Sequence, residues 1–292
     1  MIRKPGIILF LTSVLCMSQP EGFGWDYTTH MVIAQIAYNR LNNKARERLD
    51  ALVQKIKFHE KTYTFITAAC WLDDLRDDPA YEALKTWHFI NKPYFDGVPP
   101  REIPLPSDPI LSHLRSSIEN LRIGTGSEEK DAEALGVLLH LVGDAHQPLH
   151  CINRYSEKNN DEEGDRGGNE FKIITDIEGV NNLHRYWDGA AGLFKFETIQ
   201  RPLSQEDQQR IQKYADEILS AYPPDAHKEW KEMDPDRWIE ESYQIARTMV
   251  YKTPEGERLT EDYTFQSQRV ARERIALAGY RLAELLNMLF GN

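Results

Sequence analysis

The sequence predicts a mainly α-helical chain folded as a single compact domain, with long loops and a small β-hairpin. Apolar residues recur at helical spacing along most of the chain. One stretch alone, residues 170–175 (EFKIIT), has the composition of a strand and reads as half of the hairpin. No internal repeat and no low-complexity linker divides the 292 residues, of which 41% are hydrophobic, enough for one sizeable core. With 17 glycines and 15 prolines the chain is neither collagen-like nor disordered in composition.

Arg3 and Lys4 precede an apolar run over 6–17, too short to span a bilayer comfortably. Gly22 and Gly24 stand at the −3 and −1 positions of a cleavage site, so residues 1–24 read as a signal peptide and 25–292 as the working domain. Export to a periplasm or the medium follows, with Trp25 as the first mature residue and no stable membrane association. Removing Arg3, Lys4 and Glu21 moves the net charge from −11 to −12. An acidic chain does not track along duplex DNA through a basic face, but a nucleic-acid substrate held by metal ions stays open. Cys70 and Cys151 are left after cleavage. In an exported protein they invite one disulfide; two inert buried thiols are the alternative.

Thr28 and Thr29 can cap a helix through Leu41, followed by helices over 44–56 and 61–75. Further helices are predicted over 108–121, 127–145, 204–221, 236–251 and 267–289. The fifth opens on an acidic first turn (SEEKDAEA), favourable at the positive end of the helix dipole, and Pro148 ends it. Residues 91–109, rich in proline, and 151–169, polar and acidic, read as loops that carry function.

Nine histidines are the chemical clue, because two fall in His-x-x-x-Asp pairs: His140/Asp144 and His184/Asp188. Residues four apart share a helix face, so each pair can offer an imidazole and a carboxylate to one ion, a donor set suited to Zn²⁺. One such pair is usually a solvated contact; two, with His150 just past a helix end, are harder to dismiss. Trp25 and His30, and then Asp73 and His88, add donors. A free Trp25 amine and its carbonyl would form a five-membered chelate, and an α-amino pKa near ~7.7–8.0 lets a metal displace the proton.

At this point the chain resembles the S1/P1 nuclease family. The matching elements are W-x4-H (Trp25, His30), A-x-W-x-D (Ala69, Trp71, Asp73) and W-H-F-I (87–90). They continue with H-x3-D-x2-QPLH (140–150), GGN (167–169), N-L-H-x3-D (182–188) and AGxRLAxLLN (278–287). The resemblance implies the helical fold shared by these nucleases and zinc-dependent phospholipase C, and a cluster of three Zn²⁺. One zinc would use Asp73, His88, His140 and Asp144. A second would use His150, His184 and Asp188 and keep open positions. The third would use Trp25, His30 and Asp144, which bridges. Three zincs at the cluster would attract a phosphodiester despite the acidic chain, and would lower the pKa of water to about 7.

The resemblance also implies catalytic roles for Asp73 and Arg76, the latter stabilising transition-state charge. Phe89, Asn91 and Asn169 would bind the base; Asn91 stands where the best-known fungal members carry aspartate, so base preference is expected to differ or relax. The implied activity is hydrolysis of single-stranded DNA and RNA to 5′-phosphorylated products, with 3′-nucleotidase activity, by a monomer acting on nucleic acids and nucleotides. Zinc-dependent phospholipase C is the runner-up. The short Trp25–His30 spacing and Asp188, where those lipases carry glutamate, count against it. A non-catalytic zinc-binding protein would close all coordination positions. His59, His113 and His227 read as surface or satisfied residues, His146 as a support to the ligands, and Trp230 and Trp238 as core. The acidic run 161–163 reads as a solvated loop near the cleft.

Overall fold

The computed structural model describes residues 25–76, 78–104, 109–195, 199–225 and 228–291; the segment 1–24 that reads as a signal peptide, and His227, lie outside them. Ten α-helices are present among the described residues: α1 Tyr27–Arg40, α2 Asn43–Val53, α3 Phe65–Ala68, α4 Trp71–Arg76, α5 Ile110–Ile123, α6 Glu128–Asp144, α7 Leu183–Asp188, α8 Gln205–Ala221, α9 Pro235–Thr248 and α10 Glu261–Phe290. Side chains cap them, but α1 starts from an Asp26 cap rather than from Thr28 or Thr29, which lie inside the helix. Asp26 accepts from the Thr29 N–H, Ser127 from Lys130, Asn182 from Arg185 and Thr260 from Tyr263, each cap contributing about 1 kcal/mol.

α1 is apolar nearly all round, with Met31, Val32, Ile33, Ile36 and Ala37 fully buried, because α6, α8 and α10 pack against it. Each such aliphatic side chain contributes about 1.5–3 kcal/mol on burial. α5 lies along α6, and α6 is buried from Ala134 to Asp144, so its C-terminal half sits deep in the protein. Among the described residues no helix is long and apolar enough to cross a membrane.

The strand reading needs correction. The sheet is β1 Lys92–Phe95 with β2 Ile152–Tyr155, paired in parallel; it is not a hairpin, and both strands fall in segments that read as loops. Residues 170–175 make only single bridges, Lys172 to Asn182 and Ile174 to Arg258. Their backbone is satisfied by 256–259 (Gly256 N–H to Lys172 O, Leu259 N–H to Ile174 O) without forming a ladder. The helix expected over 61–75 is two short ones, α3 and α4, with a break at 69–70. The last helix begins six residues earlier than expected, where Thr260 caps it. Cys70 and Cys151 are free, buried thiols rather than a disulfide. They face different carbonyls, Sγ of Cys70 to Tyr27 O and Sγ of Cys151 to Ala145 O, and burial raises both thiol pKa values, Cys151 to about 12.

Candidate metal centre

Eight of the nine expected ligand residues contribute side chains to three buried groups, His30–Asp73–His140, His88–His140–Asp144 and His150–His184–Asp188, the first two sharing His140; in each the donor atoms lie within 4.8 Å of one another. α1 supplies His30, α4 Asp73 and α6 His140 and Asp144. The turn after α6 supplies His150, and α7 His184 with Asp188. Asp144 stands between them. Its Oδ2 lies 2.9 Å from His88 Nδ1 and 3.0 Å from His140 Nε2, and its Oδ1 lies 3.4 Å from His30 Nε2 and 3.5 Å from His150 Nδ1. α7 has six residues, yet its Asn182 cap fixes the one turn that brings His184 Nε2 to 3.4 Å from Asp188 Oδ2.

Backbone carbonyls orient three of the imidazoles. Nδ1–H of His140 donates to Ala69 O (2.7 Å), that of His150 to His88 O (2.8 Å) and that of His184 to Gly167 O (2.7 Å). This second hydrogen bond commonly fixes the tautomer of a metal-ligating histidine and leaves Nε2 as the donor atom. Two glycines make the approach feasible. A Cβ on Gly143 would meet His30 Nδ1 at 2.9 Å, and Gly167, at φ +63, would meet Leu149 O at 2.7 Å. Gln147 Nε2–H holds Asp188 Oδ1 at 2.7 Å.

The donor set fits a cation. His30 Nδ1 and Nε2, His150 Nε2, His184 Nε2, Asp144 Oδ1 and Asp188 Oδ2 are all buried without a hydrogen-bond partner. Such groups are costly to bury unless something satisfies them, and a metal ion does so. Burial, with His140 alongside, lowers the His30 pKa to about 4, and burial likewise lowers His88 to about 4. Both stay neutral and ready to donate over the physiological range. Burial also opposes protonation of His140, but Asp144 and Asp73 outweigh it and raise His140 to about 9. At pH 7 the metal-free protein therefore carries a proton on His140 that a metal must expel. Zinc titration of stripped, processed protein at pH 7, in buffers of differing ionisation enthalpy, is expected to show the proton of His140 released in addition to that of the Trp25 amine. The His140 share should shrink as the pH rises past 9.

Trp25 is fully buried, and its indole N–H donates to Gly143 O (2.8 Å) beside Asp144. The next backbone N–H, of Asp26, donates to Asp188 O. The chain at Trp25 is thus held between Gly143, which precedes Asp144, and Asp188. Arg76 Nη1 donates to Asp73 Oδ1 at 2.7 Å. Phe89, Asn91 and Asn169 line one cavity of about 470 Å³ that also includes His184, so the pocket opens beside the metal groups. Asn91 takes the left-handed conformation (φ +53) that asparagine tolerates. Glu162 and Glu163, of the acidic run expected near the cleft, also line it, with Tyr155 and Arg166, which carried no pattern in the sequence.

His146 proves to be the buried support the sequence suggested. Its Nδ1–H donates to Val142 O and its Nε2 accepts from Arg281 (2.8 Å), while Arg274 Nε–H donates to His146 O. Both arginines are buried and pair with Glu241 of α9, so α9 and α10 hold the end of α6 from behind. Spacing along one helix could not reveal a network spanning three. His59 is exposed and near Asp78, His113 stacks on Trp87 at 3.6 Å, and Trp238 is buried.

A sequence model of the S1/P1 nuclease family matches residues 25–291. The chain belongs to the S1/P1 nuclease family. It is 25% identical to Endonuclease 2 of Arabidopsis thaliana over 98% of this chain and 97% of that protein. It is 24% identical to Nuclease S1 of Aspergillus oryzae over 98% of each chain, and 28% identical to Nuclease P1 of Penicillium citrinum over 56% and 57%. The helical architecture is consistent with this family, and the family makes the chain a hydrolase of the nuclease type.

Proposed function

We propose that the chain is an exported, zinc-dependent phosphodiesterase with three Zn²⁺ that cleaves single-stranded DNA and RNA to 5′-phosphorylated products and removes 3′-phosphates from nucleotides. The observation that carries the reading is the Asp144 carboxylate, within 3.5 Å of imidazoles from all three donor groups, together with the buried, unpartnered nitrogens of His30, His88, His150 and His184. A nucleotide-sized pocket opens beside one of those groups. In this reading Asp73, His88, His140 and Asp144 hold one zinc, His150, His184 and Asp188 a second, and the amine and carbonyl of a processed Trp25, with His30 and Asp144, the third. Bound zinc would supply Lewis acidity, acidifying water toward neutral pH and offsetting charge on the phosphate.

The protein's own residues do the rest. Phe89 offers a ring face to a nucleobase, and the amides of Asn91 and Asn169 offer both donors and acceptors to its edge. Arg76, steered by Asp73, places a guanidinium where charge builds on the phosphoryl oxygens. Water adds to phosphorus, the P–O3′ bond breaks, and the 3′-oxygen leaves with a proton. Asn91, with its amide in place of a carboxylate, is expected to give weak base preference.

The test is a side-by-side assay of zinc-loaded protein on single-stranded DNA, RNA, a 3′-nucleotide and phosphatidylcholine. Hydrolysis of the first three is expected, with a 5′-phosphate on the cleaved strands. Turnover of the lipid alone would replace this reading with the phospholipase one.

A further inference from the structure

Two residues of β2, Asn153 and Tyr155, line the base pocket alongside Phe89, Asn91 and Asn169. Asn153 is 4% exposed, and its carboxamide reaches in two directions. Its Oδ1 accepts from the Gly167 N–H (3.2 Å). Its Nδ2–H groups donate to Glu163 O (2.7 Å) and to the Tyr155 hydroxyl (3.0 Å).

The first bond leads to the metal centre. Gly167, whose N–H Asn153 holds, accepts through its own carbonyl from His184 Nδ1–H (2.7 Å). Arg166, Gly167 and Gly168 all lie in the left-handed region (φ +52, +63 and +88), where an arginine stays only if its surroundings hold it. β2 supplies that hold. Besides the Asn153 contact, the Arg154 N–H donates to Asp165 Oδ1 (3.0 Å) and the Asp165 N–H to Arg154 O (2.9 Å).

The other bonds lead to the base pocket. Glu162 and Glu163 lie on an exposed loop, yet their carbonyls are fixed, Glu163 O by Asn153 and Glu162 O by the Tyr155 hydroxyl (3.3 Å). Gly164 follows at φ +60, where a Cβ would meet Asn153 Oδ1 at 2.8 Å, so the loop closes onto the amide with no side chain between them. Both amide hydrogens of Asn153 are committed to the protein, so the residue acts through what it holds rather than by touching substrate.

We propose that Asn153 is a positioning residue that ties the two halves of the site together, fixing the turn that orients His184 with one end of its amide and the Glu162–Glu163 wall of the base pocket with the other. The inference rests on the nuclease reading. A base against that wall and a metal ion held by His184 then share one support. Loss of the amide weakens both base binding and metal binding, whereas loss of the Tyr155 hydroxyl loosens the wall alone.

The test compares wild type, Asn153→Ala and Tyr155→Phe. It reads KM for a short single-stranded DNA and Ki of inorganic phosphate, both in zinc-saturated protein, and zinc affinity by chelator competition. Asn153→Ala should raise KM about 10-fold and leave the phosphate Ki near its wild-type value. The same variant should bind one zinc about 10-fold more weakly, the lower end of the loss on removing a supporting partner. Tyr155→Phe should raise KM about 3-fold with zinc affinity unchanged. In Asn153→Ala, equal changes in KM and phosphate Ki, or an unchanged KM or zinc affinity, make the amide a structural support only and overturn the inference while leaving the nuclease reading intact. Should Asn153→Ala fail to fold, Tyr155→Phe still decides, since weakened zinc or an unchanged KM in that variant overturns the inference. Wild type that cleaves no single-stranded DNA overturns both.

Discussion

Asp144→Asn is expected to abolish hydrolysis of single-stranded DNA, by about 10³-fold or more, a larger effect than the 10- to 100-fold typical of a supporting residue. The carboxylate is buried and lies within 3.5 Å of four imidazoles, His30, His88, His140 and His150. Asparagine keeps the shape but loses the charge and one acceptor oxygen. Burial alone would raise the Asp144 pKa, yet His140 and His150 hold it well below the ordinary carboxylate range. The native site thus holds an ionised carboxylate at neutral pH, which the amide cannot replace. The variant should also lose bound zinc, read by metal analysis after desalting. Full zinc content with full activity would remove Asp144 from its role.

Processing is expected to have an effect nearly as large. With Trp25 as the first residue, its amine would be a ligand; one residue ahead of it would turn that amine into an amide that does not donate to a metal. Protein carrying a single extra N-terminal residue should hold one zinc fewer per chain and lose about 10²-fold in activity, while the rest of the fold is unchanged. The burial of Trp25 and the tethers of its indole to Gly143 O and of the following N–H to Asp188 O support this expectation. Equal zinc content in the extended and processed proteins would refute the chelate.

Much of the site was legible because its ligands come in short local patterns. His140/Asp144 and His184/Asp188 are one helical turn apart, and a turn carries both donors of each pair to one face. The long helices were legible for the same reason: period and caps are local. What the sequence did not reveal depends on partners far along the chain. β1 and β2 are four residues each and pair in parallel across about 60 positions, so neither has a turn or an alternating run to mark it. EFKIIT has strand composition but no continuous partner. The break that turns 61–75 into α3 and α4 lets Asp73 and Asp74 face different networks, one toward His140 and the other toward Lys61 and Arg201. Arg281 stands in the AGxRLAxLLN element and Arg274 two turns before it, but their partners, Glu241 and His146, lie on other helices or turns far along the chain.

The most direct measurement is zinc content per chain of correctly processed protein, paired with hydrolysis of single-stranded DNA before and after chelation and after Zn²⁺ is returned. The account predicts about three zincs, activity lost with the metal, and activity recovered with it. Little or no zinc, or activity untouched by chelation, would contradict the metal centre itself.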